Sequence, residues 1–420
     1  MVDDVQGGLS AVLPLGMVAA GDEVLSRLLS PPYLADPHPL YAWMRDNDPV
    51  HRTGLGQCVL ARHADVMAVL RHPGFGRPPM PALPFEALQV LVKMFLLLDP
   101  PDHTLQRSAV PRFFTPAAIE AWRPRVSAIV AELLDRIAEA EEFDLIAELA
   151  YPLPVRVISE MLRVPEEDRE RFTRWSRALV GLLDPSLIEP ADVLNALGAA
   201  EELVAYAGEL AADRRRRPVP DDLLSALVAA VDAGQLSEEE MVSICVLLLI
   251  AGHETTVNLI GNGTLSLLRH PEELARLRAD PALIRTAVEE LARYEPPVPI
   301  AARMAHEDVE LADTVIREGE LAVVVLAAAN RDPTAFDDPE CLDLARSPNP
   351  HVSFGHGIHF CLGAPLARLE SQVALHATLG RFPGLELGSD ELHWRNSLAL
   401  RGLVSLPLTR GRPAGRPRKT

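Results

Sequence analysis

Lysine is nearly missing from this chain: Lys93 and Lys419 stand alone among 40 basic residues, and arginine carries the rest of the positive charge. Acidic residues number 59, which sets the formal net charge at −19. So acidic a chain has no broad positive surface to neutralise a phosphate backbone, which excludes a general nucleic-acid binder. The one basic stretch is the end, where Arg410, Arg412, Arg416, Arg418 and Lys419 lie among Gly and Pro. Residues 410–420 therefore read as a disordered, solubilising tail. Cysteine is scarce too. Cys58, Cys245, Cys341 and Cys361 are far apart and form no CxxC pair, which excludes a zinc ribbon and a disulfide framework. Long apolar runs are absent from the start of the chain. Ala11–Ala20 is ten residues long and contains Pro14, too short to span a bilayer, and Met-Val-Asp-Asp offers no positive leader. The expectation is a cytoplasmic protein with no signal and no membrane anchor.

There is also no Gly/Ser linker and no repeat of fixed period, so residues 1–409 read as one domain, with the first ~20 loose. Hydrophobic residues make up 48% of the chain, enough to bury a large core. Apolar residues recur at three- and four-residue spacing in Ala117–Ala140, Pro165–Leu183, Ala191–Arg215 and Asp221–Ala233, the periodicity of amphipathic helices. Strands are expected within His51–Leu60, at Glu320–Leu326, and at Leu403–Leu408, the last closed by Pro407. The fold class is mainly α with small peripheral β-sheets. The longest helix opens on Ser237 with Glu240 three residues on, a capping box, and runs to Arg269 before Pro271. At 1.5 Å per residue it spans roughly 48 Å, enough to cross a domain. His253, Glu254, Asn258 and Asn262 interrupt it, so it does not read as a membrane span.

Around Cys361 the chain reads Phe354-Gly-His-Gly-Ile-His-Phe-Cys-Leu-Gly-Ala-Pro. Gly355, Gly357 and Gly363 permit a turn tight enough to approach a planar cofactor. Pro365 then opens a helix, where its missing N–H costs little. A cysteine before a helix N-terminus meets free amides and the positive end of the dipole, and both favour thiolate. The other three cysteines read as small buried hydrophobes.

This segment resembles the haem-binding signature of the cytochrome P450 family at every defined position. The resemblance implies a triangular helical body around a buried haem b, with Cys361 as the axial iron ligand and Phe354, Gly355 and Gly363 shaping its loop. It extends over roughly Asp36 to Leu408. Ala251-Gly-His-Glu-Thr-Thr256 matches the family's acid–threonine motif, with Ala251 and Gly252 against the cofactor and Glu254 and Thr255 relaying protons over its distal face. Glu290-Leu-Ala-Arg293 matches its buried Glu-x-x-Arg pair, a structural element. Glu289, adjacent, has the wrong spacing. The resemblance gives His103, Arg107, Arg303 and His359 to the haem propionates.

The activity so implied is a monooxygenase that inserts one atom of dioxygen into a C–H or C=C bond. Electrons would come from a ferredoxin and its reductase, since no flavin, nicotinamide or iron–sulfur fingerprint is present. Arg112 and Arg368 are the candidate docking cations, and monomer is the family default. Variable segments of the family place the substrate pocket at Gly76–Leu97, Trp175–Leu183, Ala191–Leu203, Val298–Ile300 and Ser397–Leu400. Met80, Leu83, Phe85, Leu182, Leu183, Val298, Ile300 and Leu398 are its candidate lining, suited to a large hydrophobic molecule. The two motifs look most like the macrolide-hydroxylating branch, which implies a polyketide or another secondary metabolite. A peroxide-driven peroxygenase and a non-catalytic haem-thiolate sensor are the alternatives. The acid–threonine pair speaks against both.

Overall fold

The computed structural model describes residues 22–79, 90, 92–180, 190–311 and 314–411. Helices dominate, and they include α1 (Asp102–Ser108), α2 (Arg123–Arg136), α3 (Pro152–Met161), α4 (Arg169–Val180), α5 (Pro190–Arg216), α6 (Glu238–Arg269), α7 (Ile284–Tyr294) and α8 (Ala364–Arg381). The strands are β1 (Val50–Arg52), β2 (Cys58–Leu60), β3 (Phe75–Gly76), β4 (Glu142–Asp144), β5 (Ile300–Ala305), β6 (Val309–Leu311), β7 (Thr314–Ile316), β8 (Leu321–Val325), β9 (Glu386–Leu387) and β10 (Pro407–Thr409).

Helix α6 organises the body because it is apolar all round, so every face needs a neighbour. Its start carries the expected capping box: Ser237 Oγ accepts from Glu240 N at 3.1 Å, and the Glu240 carboxylate accepts from Ser237 N at 2.7 Å. Among the described residues it is the one helix long and apolar enough to cross a membrane, yet 83% of its most apolar window is buried in the fold. Helices α3, α4, α5, α7 and α8 pack against it and share one large hydrophobic core.

Strand order in the main sheet is β1-β2-β8-β5-β3, with β2 and β8 parallel and the other pairs antiparallel. Residues 321–325 are all buried because both faces of the sheet are covered. Val323 and Val325 enter one apolar cluster and Ala322 and Val324 the other, the two-residue alternation of a strand. A three-stranded sheet, β4-β10-β9, and the β6–β7 hairpin complete the periphery.

Three local expectations need correction. The run at 117–140 is two helices, Pro116–Glu120 and α2, joined through a break before Pro124. Pro407 begins strand β10 instead of closing one, at a first-residue position where its missing N–H is tolerated. Cys341 is exposed, while Cys58 and Cys245 are buried as expected.

Candidate active site

The loop before α8 is shaped by two left-handed glycines, Gly355 at φ +68° and Gly357 at φ +71°. A Cβ on Gly357 would stand 2.5 Å from the Leu70 carbonyl oxygen, so no larger residue fits there. The turn closes when Cys361 N–H donates to the Phe354 carbonyl at 2.9 Å. Cys361 then presents its surface to a cavity of about 380 Å³. Burial raises its thiol above the ordinary value; the amides of Gly363 and Ala364 and the guanidiniums of Arg107 and Arg368 pull it back. A coordinated metal cation would remove the proton outright.

One cavity brings together Ala251, Gly252, Thr255, Val298, Ile300, Phe354, Gly355, Cys361 and Gly363, with Arg107, Arg303 and His359. A Cβ on Gly252 would meet nothing within 4 Å, so that stretch of α6 offers bare backbone to the cavity. Thr255 Oγ donates to the Ala251 carbonyl at 3.1 Å, bonding back to the preceding turn. Glu254 does not line the cavity. It turns to the opposite side of α6, into a small polar pocket with Tyr151 and Arg177, and meets Arg395 at 2.6 Å. Burial raises its pKa against the pull of Arg395.

His103 stands behind the wall, its ring centroid 4.4 Å from that of His359. The donors in this corner are partly unspent: neither ring nitrogen of His103, nor His359 Nε2, nor Arg77 Nε has a hydrogen-bond partner. Arg77 was not picked out in the sequence, yet it is enclosed in the wall beside Arg303 and Asp99. Asp99 accepts from Arg77 N at 2.7 Å and from His306 at 3.0 Å. Burial and the neighbouring arginines push His359 down to about 2. Arg107 also donates to the Phe360 carbonyl at 2.6 Å. Haem fits this set: a largely apolar cavity, a cysteine in its wall, and cationic and neutral donors on its lining for two carboxylates.

Glu290 and Arg293 are fully buried and bidentate, at 2.7 and 2.8 Å. Sequence reasoning missed their third partner, Arg346, whose Nε lies 3.1 Å from both Glu290 oxygens. Arg293 also donates to the carbonyls of Asn330, Pro339 and Cys341, which fixes the segment leading into the cysteine loop.

Two lining expectations and one docking expectation are corrected. Leu398 packs into the core cluster beneath β8, and its neighbours Ala399 and Leu400 line the cavity instead. No described side chain of 175–179 or 194–203 lines the cavity. Trp175 faces α5, donating to Glu202 at 2.8 Å with its ring centroid 5.2 Å from that of Tyr206. Arg368 is tied inward to Glu289 at 2.6 and 2.8 Å over the Phe354 ring, so it is not a free surface cation. Met80, Leu83, Phe85, Leu182 and Leu183 lie outside the described residues.

The family model described as Cytochrome P450 matches residues 49–396. The cytochrome P450 monooxygenase PikC of Streptomyces venezuelae is 43% identical over 403 residues, covering 91% of this chain and 94% of that protein. The polyketide biosynthesis cytochrome P450 PksS of Bacillus subtilis is 40% identical over 394 residues, covering 89% and 96%. Among solved structures, P450BioI in complex with an acyl carrier protein ligated to hexadec-9Z-enoic acid aligns with a TM-score of 0.85 at 39% identity, covering 90% of this chain and 99% of that one. With this coverage and the cysteine loop in place, the chain belongs to the cytochrome P450 family.

Proposed function

We propose that this P450 monooxygenase oxidises a bulky apolar secondary metabolite of polyketide type, at a C–H or C=C bond, with electrons from a ferredoxin and its reductase. The observation that carries the site assignment is the single cavity joining Cys361, the buried arginines and the bare turn of α6 at Thr255. Haem is the cofactor of this family, and when bound it supplies dioxygen activation and oxygen transfer.

Each residue's part follows from its place. Cys361 Sγ would hold the iron, its charge favoured by the Gly363 and Ala364 amides. Arg77, Arg107, Arg303 and His359 would hold the propionates, with His103 packed behind His359. Thr255 keeps its hydroxyl at the cavity edge of α6, and Glu254 stands across the same turn in a separate polar pocket. A proton taken up at the Glu254 carboxyl would pass by water to the Thr255 hydroxyl, which accepts it while giving up its own to the cavity, and Glu254 is then reprotonated from solvent. The apolar wall of Leu96, Leu247, Val298, Ile300 and Leu400 excludes bulk water and sets a preference for hydrophobic substrates.

Polyketide chemistry is supported by the name of PksS and by the uncharged character of this wall. For the ferredoxin, support comes from the cysteine-loop face. Ile358 and Phe360 of that loop are exposed, and an exposed apolar patch suits a protein partner. Arg112, the remaining candidate docking cation, carries no ion-pair partner among the described residues.

The deciding measurement is the absorption spectrum of the reduced protein with carbon monoxide, for wild type and Cys361→Ala. A long-wavelength Soret band lost in the variant supports the assignment; an imidazole-type band in fresh wild type overturns it. Turnover with a surrogate ferredoxin system then separates the alternatives. A monooxygenase needs reductant and dioxygen, a peroxygenase needs only peroxide, and a sensor turns over with neither.

A further inference from the structure

A second cavity, of about 450 Å³, opens between α6, the end of α7 and the helix His38–Asn47, and has no part in that scheme. Two side chains in its lining have buried atoms left over. Asn262, on α6, is 1% exposed. Its Nδ2 donates to the Arg401 carbonyl at 2.9 Å, which fixes the orientation of the amide, and its Oδ1 has no hydrogen-bond partner. His38 Nε2 lies 3.2 Å from the Glu295 carboxylate, and His38 Nδ1 is buried without a partner.

The charges of this cavity cancel. Glu295 is paired with Arg401, and Glu340 with Arg331. Both guanidiniums are further engaged: Arg401 donates to the Leu34 carbonyl at 2.8 Å and stacks on Trp394, and Arg331 donates to the Tyr294 carbonyl at 2.8 Å and stacks on the Tyr294 ring. Asp36 and Arg269 are left, one charge of each sign and both exposed. Burial lowers the pKa of His38 against the pull of Glu295. Although burial opposes it, Arg401 and His38 hold Glu295 well below the ordinary carboxyl value. A carboxylate has no proton to give, so His38 Nε2 carries the shared one and Nδ1 is an acceptor.

The unspent groups are thus two acceptors, Asn262 Oδ1 and His38 Nδ1, and Pro39, Ala42 and Leu265 add apolar surface beside them. An anion finds no unpaired buried cation there, and a cation finds no unpaired buried carboxylate. A neutral molecule with several O–H donors on a carbon skeleton meets both needs, and the volume is that of a small-molecule site. We propose that this cavity is a second binding site, for a neutral polyhydroxylated molecule of the sugar or polyol class, whose hydroxyls donate to Asn262 and His38. The site bears on the first cavity through the backbone. Arg401 N–H donates to the Pro297 carbonyl at 2.8 Å, and Pro297, Val298, Ala399 and Leu400 line the cysteine cavity. A molecule held against Glu295 and Arg401 sets the substrate wall from behind.

Titration calorimetry on the purified haem-loaded protein tests this, with D-glucose, myo-inositol and sorbitol as probes and glucosamine and gluconate as charged controls. Phenylimidazole is present throughout, so that its ring nitrogen occupies the iron and its body the first cavity. Wild type should bind at least one neutral probe saturably, at one site per chain. Asn262→Leu removes an acceptor at similar volume, and Ala42→Phe fills the cavity without removing a charged group. Each should weaken binding tenfold or more, with the carbon monoxide band unchanged. Saturating probe should also shift the affinity for phenylimidazole at least twofold. No saturable heat with any neutral probe leaves water as the occupant and overturns the proposal. Binding of the charged controls alone overturns it too, as does an affinity that neither variant weakens. An unmoved phenylimidazole affinity overturns the link to the substrate wall.

Discussion

The carboxylate of Glu254 and the guanidinium of Arg395 meet at 2.6 Å on the side of α6 turned away from the cavity that Thr255 faces. Glu254 and Thr255 are neighbours in sequence, but a helix turns about 100° per residue, so they address two spaces. The charge of Arg395 is the attraction that favours the charged form of this buried acid. Arg395→Leu should therefore move the titration of Glu254 to higher pH. A pH profile of product formation checks this: the limb belonging to Glu254 shifts upward in Arg395→Leu. In Glu254→Gln that limb disappears and the rate falls by roughly 10²-fold. A limb that stays in place in both variants would put the relay elsewhere.

Removing one member of a buried ion pair leaves the others uncompensated, at about 3–5 kcal/mol. Glu290 satisfies Arg293 and Arg346 together, so Glu290→Gln should lower the denaturant midpoint and the soluble yield more than Arg346→Ala does. Equal losses in the two variants would contradict a hub role for Glu290.

Arg77→Leu should loosen the cofactor without unfolding the chain, because its guanidinium makes no ion pair among the described residues and only its backbone N–H is tied to Asp99. Transfer of haem to apomyoglobin is the measurement. It should run roughly tenfold faster in Arg77→Leu, a difference of about 1.4 kcal/mol, with Arg77→Lys in between.

Glu289 joins α7 to α8 through Arg368 and to the cysteine-loop approach through His351. Burial opposes its charge, but the hydrogen bonds from His351 and Arg368 prevail and hold it down to about 2, against an ordinary 4.5. A carboxyl with a lowered native pKa adds stability above its unfolded value and loses it as the pH falls through the native one. Glu289→Gln should thus cost about 2 kcal/mol at neutral pH, discounted for partial exposure. The gap from wild type should close between pH 4.5 and about 2. Urea titrations at several pH values give the answer; a gap that is constant with pH would exclude the charged pair as its source.

What could be read from the chain itself was what is local along it. The cysteine loop, the capping box of Ser237 and Glu240, and the Glu290–Arg293 spacing each lie within a few residues, so backbone geometry dictates them directly. Arg346, Arg395 and Arg77 reach their positions through loops, and no periodicity announces which arginine a fold will turn inward. The substrate wall was legible at Val298 and Ile300 but not at Leu398. The strip 397–400 is irregular, so no period tells that Leu398 turns into the core while Ala399 and Leu400 line the cavity. Trp175 was misplaced because an amphipathic face identifies what is covered, not which neighbour covers it.

The parallel pairing of β2 with β8 sets Cys58 opposite Ala322, joining the first part of the chain to its last third. Two apolar clusters depend on that sheet, and both hold residues from each end. During synthesis the early strands must wait, with their apolar faces uncovered, until the ribosome has delivered most of the protein. Closing so long a loop is slow, and waiting strands are prone to pair with other chains. Yield in a heterologous host should therefore respond to translation speed and chaperone supply before it responds to cofactor supply.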